Sequence, residues 1–195
     1  MADDPEDGLL RRAANGETEA FRELFEAHHA AMYRFVYRLT SAVDAAEDIT
    51  QECFLRLIGS PGFDHRRGSL RQYLYGMVRN LVRQRWQANG REVRWDDEAE
   101  NDPMPAACRD PMVSAETSEA VQAAISLLPP LQWEAILLFE FEELSLEETA
   151  AVVGADVGTV KSRLYRARER LRRSLAPYRS HGPTTPKGAS HESAE

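Results

Sequence analysis

The sequence is poor in the residues that build disulfides, metal centres and membrane spans. Its two cysteines, Cys53 and Cys108, form no C-x-x-C pair and have no histidines at metal-ligand spacing, so neither a disulfide framework nor a zinc site is indicated. No apolar run approaches the roughly 20 residues that cross a bilayer, and the acidic start MADDPEDG is not that of a signal peptide. We therefore expect a cytoplasmic protein that does not insert into a membrane.

Patterns typical of catalysis are missing as well. The chain has no Gly-rich phosphate loop, no paired carboxylates in an apolar setting, and no Ser, Cys or Thr nucleophile beside a plausible base. These absences predict that the protein is not an enzyme and uses no cofactor or metal ion. Its function is then expected to lie in binding.

Positive charge is scarce overall but concentrated in two stretches. The 195 residues carry a formal net charge of -8. Residues 65–94 nevertheless hold eight arginines against one glutamate, and residues 161–173 hold seven basic side chains against Glu169. Two basic stretches in an acidic chain indicate two separate sites for a polyanion such as nucleic acid. For either stretch alone, a solvated basic face is the alternative.

The second basic stretch has the pattern of a helix-turn-helix. Over residues 156–173 apolar side chains recur at three- and four-residue steps, with hydroxyl and basic side chains opposite them. Asp156 is placed to cap this helix, and Ser145 with Glu148 has the form of a capping box for a shorter helix before it. Gly154 lies in the turn between the two helices. Such a basic helix fits the major groove of DNA, although an ordinary amphipathic helix is the alternative.

Helical periodicity extends over most of the remaining chain, which predicts an all-α fold. Helices are expected over residues 17–39, from Asp44 to about Ile58, from about Ser69 onward, and over residues 131–142. Between them, the acidic and unperiodic stretch from about Arg91 predicts a flexible linker. We predict an acidic N-terminal tail (1–16), a first helical domain (17–91), a flexible acidic linker (92–116), a second domain with the helix-turn-helix (117–178) and a disordered tail (179–195).

Three segments resemble one family. GTVKSRLYRARERLRR, preceded by LLPPLQWEAILL and LSLEETAAVVGADV, resembles region four of the extracytoplasmic-function (ECF) sigma factors, which recognises the minus-thirty-five promoter element. DAAEDITQECFLRL resembles the region-two helix that grips the clamp helices of the largest subunit of core RNA polymerase. FDHRRGSLRQYLYGMVRNLVRQRW resembles the region-two segment that melts and captures the minus-ten element.

The resemblance implies three binding surfaces. The residues that match the polymerase-binding face are Asp48, Gln51, Glu52 and Leu55. Those that match the minus-ten surface are Phe63, His65, Arg66, Arg67, Arg79, Asn80 and Arg83. Those that match the minus-thirty-five surface are Thr159, Lys161, Ser162, Arg163, Tyr165, Arg166 and Arg168.

Within the minus-ten surface, the resemblance implies that Arg79 and Arg83 hold phosphates while Asn80 contacts a base edge or the backbone. The loop over residues 63–68 would receive an extruded base, whose unstacking costs a few kcal/mol. Phe63 or His65 could stack on that base, although packing of Phe63 in the core is an equal alternative.

Within the minus-thirty-five surface, Lys161, Ser162, Tyr165 and Arg166 fall where the family contacts bases and backbone. Lys161 or Arg166 would pair with guanine, and this contact would favour guanine over other bases by about 1–3 kcal/mol. The phosphate-binding side chains would be Thr159, Arg163 and Arg168.

Two features are not settled by the pattern. Leu131, Trp133 and Phe139 are apolar where ECF relatives usually carry polar residues, so their helix either packs in a deeper core or offers a docking surface, and we favour partner binding. The acidic linker is either simply solvated or a mimic of nucleic acid in the RNA-exit region.

The leading hypothesis is an ECF-type sigma factor that binds core RNA polymerase and promoter DNA and is regulated by an anti-sigma factor. A sigma mimic that sequesters an anti-sigma factor is the alternative, although such a decoy has no reason to keep DNA-facing residues such as Lys161 and Arg166. A plain helix-turn-helix transcription factor would leave the first 90 residues unexplained.

Overall fold

The computed structural model describes residues 5–59, 62–88 and 115–179, which contain eight α-helices and no strand. The helices are α1 (Pro5–Ala14), α2 (Thr18–Thr40), α3 (Val43–Gly59), α4 (Leu70–Ala88), α5 (Ala115–Ser126), α6 (Pro130–Ile136), α7 (Leu146–Val153) and α8 (Val157–Arg179). A 3-10 turn over His65–Arg67 precedes α4, and the π-helical segment Leu137–Phe141 continues α6. The prediction of an all-α fold is confirmed. Within these ranges no helix is both long and apolar enough to span a bilayer.

The prediction of an acidic tail over residues 1–16 is wrong for its described part. Pro5–Ala14 forms α1, which packs on α2 with Leu10 only 2% exposed. Glu6 Oε1 lies 3.1 Å from Nε2 of His28, whose side chain is buried. The helix has one short apolar stripe in an acidic sequence, so docking on α2, rather than local propensity, stabilises it.

The N-terminal half of the fold comprises α1 to α4, with α2 packed against α3 and α4. The apolar stripes of α2, α3 and α4, whose helices were predicted, meet in one core. Its fully buried members include Leu24, Phe35, Phe54, Leu74 and Val78. Trp86 near the end of α4 is also buried, at 4% exposure.

The C-terminal half comprises α5 to α8 and contains the predicted helix-turn-helix. The capping box is present: Ser145 Oγ accepts from the Glu148 amide at 3.1 Å, and Glu148 Oε2 accepts from the Ser145 amide at 2.8 Å. Gly154 ends α7 with φ of 67°, a left-handed conformation that glycine adopts without strain. Asp156 then caps α8, because its Oδ1 accepts from the Thr159 amide at 2.8 Å.

Helix α6 joins the two halves into one core. Trp133 is 2% exposed and Leu131 6%, and the indole N–H of Trp133 donates to the backbone oxygen of Arg38 in α2 at 3.1 Å. The interpretation of these two side chains as a surface for another protein is therefore wrong. The extra apolar surface of α6 exists because this helix faces the C-terminal core on one side and the N-terminal half on the other.

Two predicted segments fall mostly outside the described residues. They are the linker, of which residues 92–114 are not described, and the C-terminal tail from residue 180. Residues 115 and 116 belong to α5 rather than to a linker. Cys108 also lies outside the described residues.

Burial of Cys53 generates a prediction for alkaline pH. Its side chain is fully buried beside Met77, and burial raises the pKa of the thiol to about 12. The thiol ionises near pH 9 in the unfolded chain but stays neutral at that pH in the folded chain. The free energy of unfolding should therefore be unaffected by this thiol below pH 9 and should fall between pH 9 and 12. Urea unfolding measures the free energy of unfolding across this pH range, and this free energy should fall less steeply with pH for Cys53→Ala than for wild type. Equal slopes for the two proteins would show that the Cys53 thiol is not the group responsible.

The capping box generates a second prediction. Ser145→Ala removes the acceptor for the Glu148 amide and should lower the free energy of unfolding by about 1 kcal/mol. Ser145→Asp, which restores an acceptor at the same position, is the matched control and should stay close to wild type in the same urea titration. If Ser145→Asp lowered the free energy of unfolding as much as Ser145→Ala, the loss of stability would not come from the missing cap.

Candidate nucleic-acid interface

Helix α8 presents an open basic face. Val160, Leu164 and Ala167 are buried against the C-terminal core and fix the helix in orientation. Lys161, Tyr165, Arg166 and Arg168, all predicted DNA-contacting residues, are exposed on the opposite side. Tyr165 is exposed to 67%, so its ring and hydroxyl are open to a partner. The arrangement has the form and charge to enter a DNA groove.

Four of the predicted minus-thirty-five residues contact named groups within the chain. Thr159 Oγ1 donates to Asp156 at 2.7 Å, and Ser162 Oγ donates to the Thr159 carbonyl at 2.8 Å. Arg168 forms an ion pair with Glu140, and its guanidinium lies over the ring of Phe139. Arg163 is only 7% exposed and lies near Glu134. The structure therefore brings some of the predicted residues to an open surface and directs Arg163 inward.

A cleft of about 480 Å³ lies between the loop before α4 and helix α7. Phe63, Arg67 and Asn80 line it, all from the predicted minus-ten set, and Ala151 and Val152 of α7 form the facing wall. The ring of Phe63 is half-buried, with its centroid 5.7 Å from that of Tyr73, so it both packs and lines the cleft. Such a cleft has room for an unstacked base.

The loop that borders this cleft is held by its own side chains. Asp64 Oδ1 accepts from the backbone amide of Arg66 at 3.0 Å, which leaves the Arg66 and Arg67 side chains exposed. His65 Nδ1 lies 3.8 Å from Asp7 of α1. The predicted base-capturing loop is therefore basic on its outer side.

Arg79 is placed differently from the other predicted phosphate ligands. It is 6% exposed, and its Nε donates to Oε1 of Glu134, a carboxylate with no exposed surface, at 2.5 Å. Burial raises the pKa of Glu134, while the neighbouring Arg79, Arg163 and Arg83 guanidiniums lower it. Burial and the Arg79 charge together lower the pKa of Arg83, which is partly buried. One signal that could have revealed this partner is an acidic residue between the apolar Trp133 and Ala135.

The predicted polymerase-binding residues form one exposed face of α3. Asp48, Gln51, Glu52 and Leu55 all point outward, and Leu55 is 58% exposed. Asp48 lies 3.0 Å from Arg85 of α4. Beneath this face the buried Ile49 and Phe54 fix the helix on the core. Leu55 thus gives this otherwise polar face one apolar side chain that is open to a partner.

Comparison with known families covers both halves of the chain. Residues 24–92 match the family model described as Sigma-70 region 2, and residues 118–171 match that described as Sigma-70, region 4. These two matches include the α3 face, the cleft and the helix-turn-helix.

Individual relatives are similar over most of this chain. The ECF RNA polymerase sigma factor SigE of Mycolicibacterium smegmatis is 35% identical over 162 residues, 81% of this chain but 62% of that protein. The ECF RNA polymerase sigma factor SigW of Bacillus subtilis is 31% identical over 177 residues, 85% of this chain and 94% of that protein. The chain thus spans about three fifths of the first relative and nearly all of the second.

A solved structure shares the fold. The sigma factor RpoE in complex with the anti-sigma factor NepR, from Bartonella quintana, superposes with a TM-score of 0.64 at 28% sequence identity. The match covers 82% of this chain and 98% of that chain.

Proposed function

Because this chain belongs to the family of ECF RNA polymerase sigma factors, we propose that it binds core RNA polymerase and directs transcription initiation at specific promoters. The observation that carries the proposal is the exposed face of α8, on which Lys161, Tyr165 and Arg166 project from a capped helix-turn-helix. The polymerase catalyses RNA synthesis, and this chain selects the promoter and opens the DNA strands.

The minus-thirty-five element is read by α8. Arg166 or Lys161 pairs with guanine in the major groove, because a guanidinium or ammonium donates to both O6 and N7 of that base. Arg168 holds phosphate, which positions the helix without reading sequence. Since Arg168 is paired with Glu140 in the described arrangement, DNA must displace this exposed ion pair, whose contribution to stability is small.

The minus-ten element is held by α4 and the loop before it. Arg66, Arg67 and Arg83 attract the phosphates, and Asn80 borders the cleft that receives a flipped base. Stacking of that base on an aromatic ring contributes about 1–3 kcal/mol, which offsets the cost of unstacking it from the duplex. Phe63 is the aromatic ring that lines the cleft.

Core RNA polymerase binds the face of α3 formed by Asp48, Gln51, Glu52 and Leu55. Burial of the exposed Leu55 side chain supplies apolar contact, while the acids and the amide give orientation and specificity. An anti-sigma factor is the expected regulatory partner, since the solved relative RpoE is bound to one.

The division between base reading and phosphate binding generates a prediction. Arg166→Ala should relax sequence preference by about 1–3 kcal/mol at one base pair, whereas Arg168→Ala should weaken binding to all duplexes alike. Affinity for matched and scrambled promoter duplexes, measured by fluorescence anisotropy, separates the two. Arg172→Ala, on the same helix but outside the predicted set, is the control. Equal changes on both duplexes for Arg166→Ala would remove its base-reading role.

The face of α3 generates a second prediction. Gln51→Ala combined with Glu52→Ala should lower the affinity for core RNA polymerase at least tenfold and leave the fold unchanged, because both side chains are exposed and the Glu52–Arg56 ion pair contributes little to stability. Glu26→Ala, which removes an exposed acid of α2 instead, is the matched control. Unaltered affinity, with wild-type circular dichroism, would exclude this face from the interface.

The proposal as a whole is tested by run-off transcription on genomic DNA of the source organism, with core RNA polymerase in the presence and absence of the purified chain. New transcripts that begin a fixed distance downstream of one shared bipartite motif would establish the function. A chain that neither binds core polymerase nor initiates would instead be a sigma mimic, and the search would turn to its anti-sigma partner.

A further inference from the structure

One side of helix α4 forms the floor of the cleft of about 480 Å³. Tyr73, Gly76, Met77 and Asn80 all line this cleft. They share one side of the helix because residues three and four positions apart are neighbours on a helical surface. The first three are half-buried and Asn80 is exposed. The floor therefore consists of side chains with one gap, at Gly76.

The gap at Gly76 is not required by the packing of the protein. Glycine in the interior of a helix destabilises it relative to alanine, because glycine loses more backbone entropy on folding. A Cβ atom at Gly76 would have no atom of the described residues within 4 Å, apart from its own turn of helix. Alanine would therefore fit at this position and would give a more stable helix.

The two other glycines that line the cleft, Gly62 and Gly68, are explained by contacts within the chain. Gly68 has φ of 150°, which side chains rarely allow, and a Cβ atom there would clash with Oε1 of Gln72. A Cβ atom at Gly62 would lie 3.2 Å from the hydroxyl oxygen of Tyr73, a tight contact. Gly76 has neither constraint, so the feature that uses its missing side chain is the open space of the cleft.

The groups around Gly76 are suited to contact with a nucleobase. Phe63 and Tyr73 both line the cleft, with their ring centroids 5.7 Å apart. Met77, next to Gly76, adds a polarisable thioether side chain. The Tyr73 hydroxyl and the Asn80 amide, at the two ends of the floor, can form hydrogen bonds with a base edge. Bare helix backbone between them allows the close approach on which dispersion and stacking depend.

We propose that Gly76 is a positioning residue for the captured base: its missing side chain leaves the space in which the flat ring of an unstacked base packs against the backbone of α4. The proposal rests on the proposed function, because it assumes that the cleft receives a base. It adds to the minus-ten surface a residue outside the predicted set. A side chain at position 76 would stabilise the helix and at the same time occupy the space of the base.

The first part of the test measures stability, with Gly8→Ala as the matched control for Gly76→Ala. Gly8 lies inside α1 and outside the cleft, and a Cβ atom there would also have no atom of the described residues within 4 Å. Both substitutions should raise the urea midpoint of unfolding, because each replaces a helical glycine by alanine. Such a rise for Gly76→Ala would show that the protein accommodates the added methyl group.

The second part measures binding of two fluorescein-labelled single-stranded DNA 12-mers by the full chain, one of random sequence and one abasic throughout. Relative to Gly8→Ala, the intact strand should bind about twofold more weakly to Gly76→Ala and about fivefold or more to Gly76→Leu, since stacking of one base contributes a factor of this size. The abasic strand should bind all variants alike. The slope of log affinity against log salt should not change, because no phosphate contact is lost.

The proposal is overturned if Gly76→Leu binds the intact strand as tightly as Gly8→Ala does, if it weakens binding of both strands equally, or if the wild-type chain binds the two strands alike. A lower urea midpoint for Gly76→Ala would also overturn it, because the glycine would then serve packing. If Gly76→Leu loses helical content by circular dichroism, Gly76→Ala decides alone by the same comparison. Failure of the proposed function is distinguishable, since run-off transcription by the wild-type chain tests that function without reference to Gly76.

Discussion

The position of α6 between the two halves of the chain is the constraint on which the rest of the structure depends. This short helix has buried side chains all around, including Leu131, Trp133 and Ile136, so it cannot lie on the surface of a separate domain. Exposure of that much apolar area to water is unfavourable, at about 25 cal/mol for each Å². The hydrogen bond from Trp133 to the backbone of Arg38 and the ion pair of Glu134 with Arg79 fix its docking on region two.

This docking has unequal consequences for the three proposed binding surfaces. The α3 face proposed for polymerase and the basic face of α8 both remain exposed. In the proposed minus-ten set Arg79 is buried and α7 forms one wall of the cleft, while Arg66, Arg67 and Asn80 stay exposed.

The local features of the fold were predictable because they depend on neighbouring residues. The stripe of Val160, Leu164 and Ala167 is set by the helical repeat alone, and so is the burial of this side of α8. The Ser145 capping box and the Asp156 cap involve groups only three residues apart. The exposure of Lys161, Tyr165 and Arg166 follows directly from the position of that stripe. Helix α1 was not predictable in this way, because its apolar stripe is too short to be recognised as a helical repeat.

The sequence by itself determined most of the helices, the caps of α7 and α8, the two basic stretches and the family to which they belong. Only the tertiary structure decided that α1 packs on α2, that Trp133 is core, and that Arg79 pairs with Glu134, 55 residues away along the chain. The physical reason is the distance along the chain that separates the interacting residues. Periodicity and capping report contacts within a few residues, whereas the partner of a buried charge is chosen by which distant surfaces pack together, and no local pattern encodes that choice.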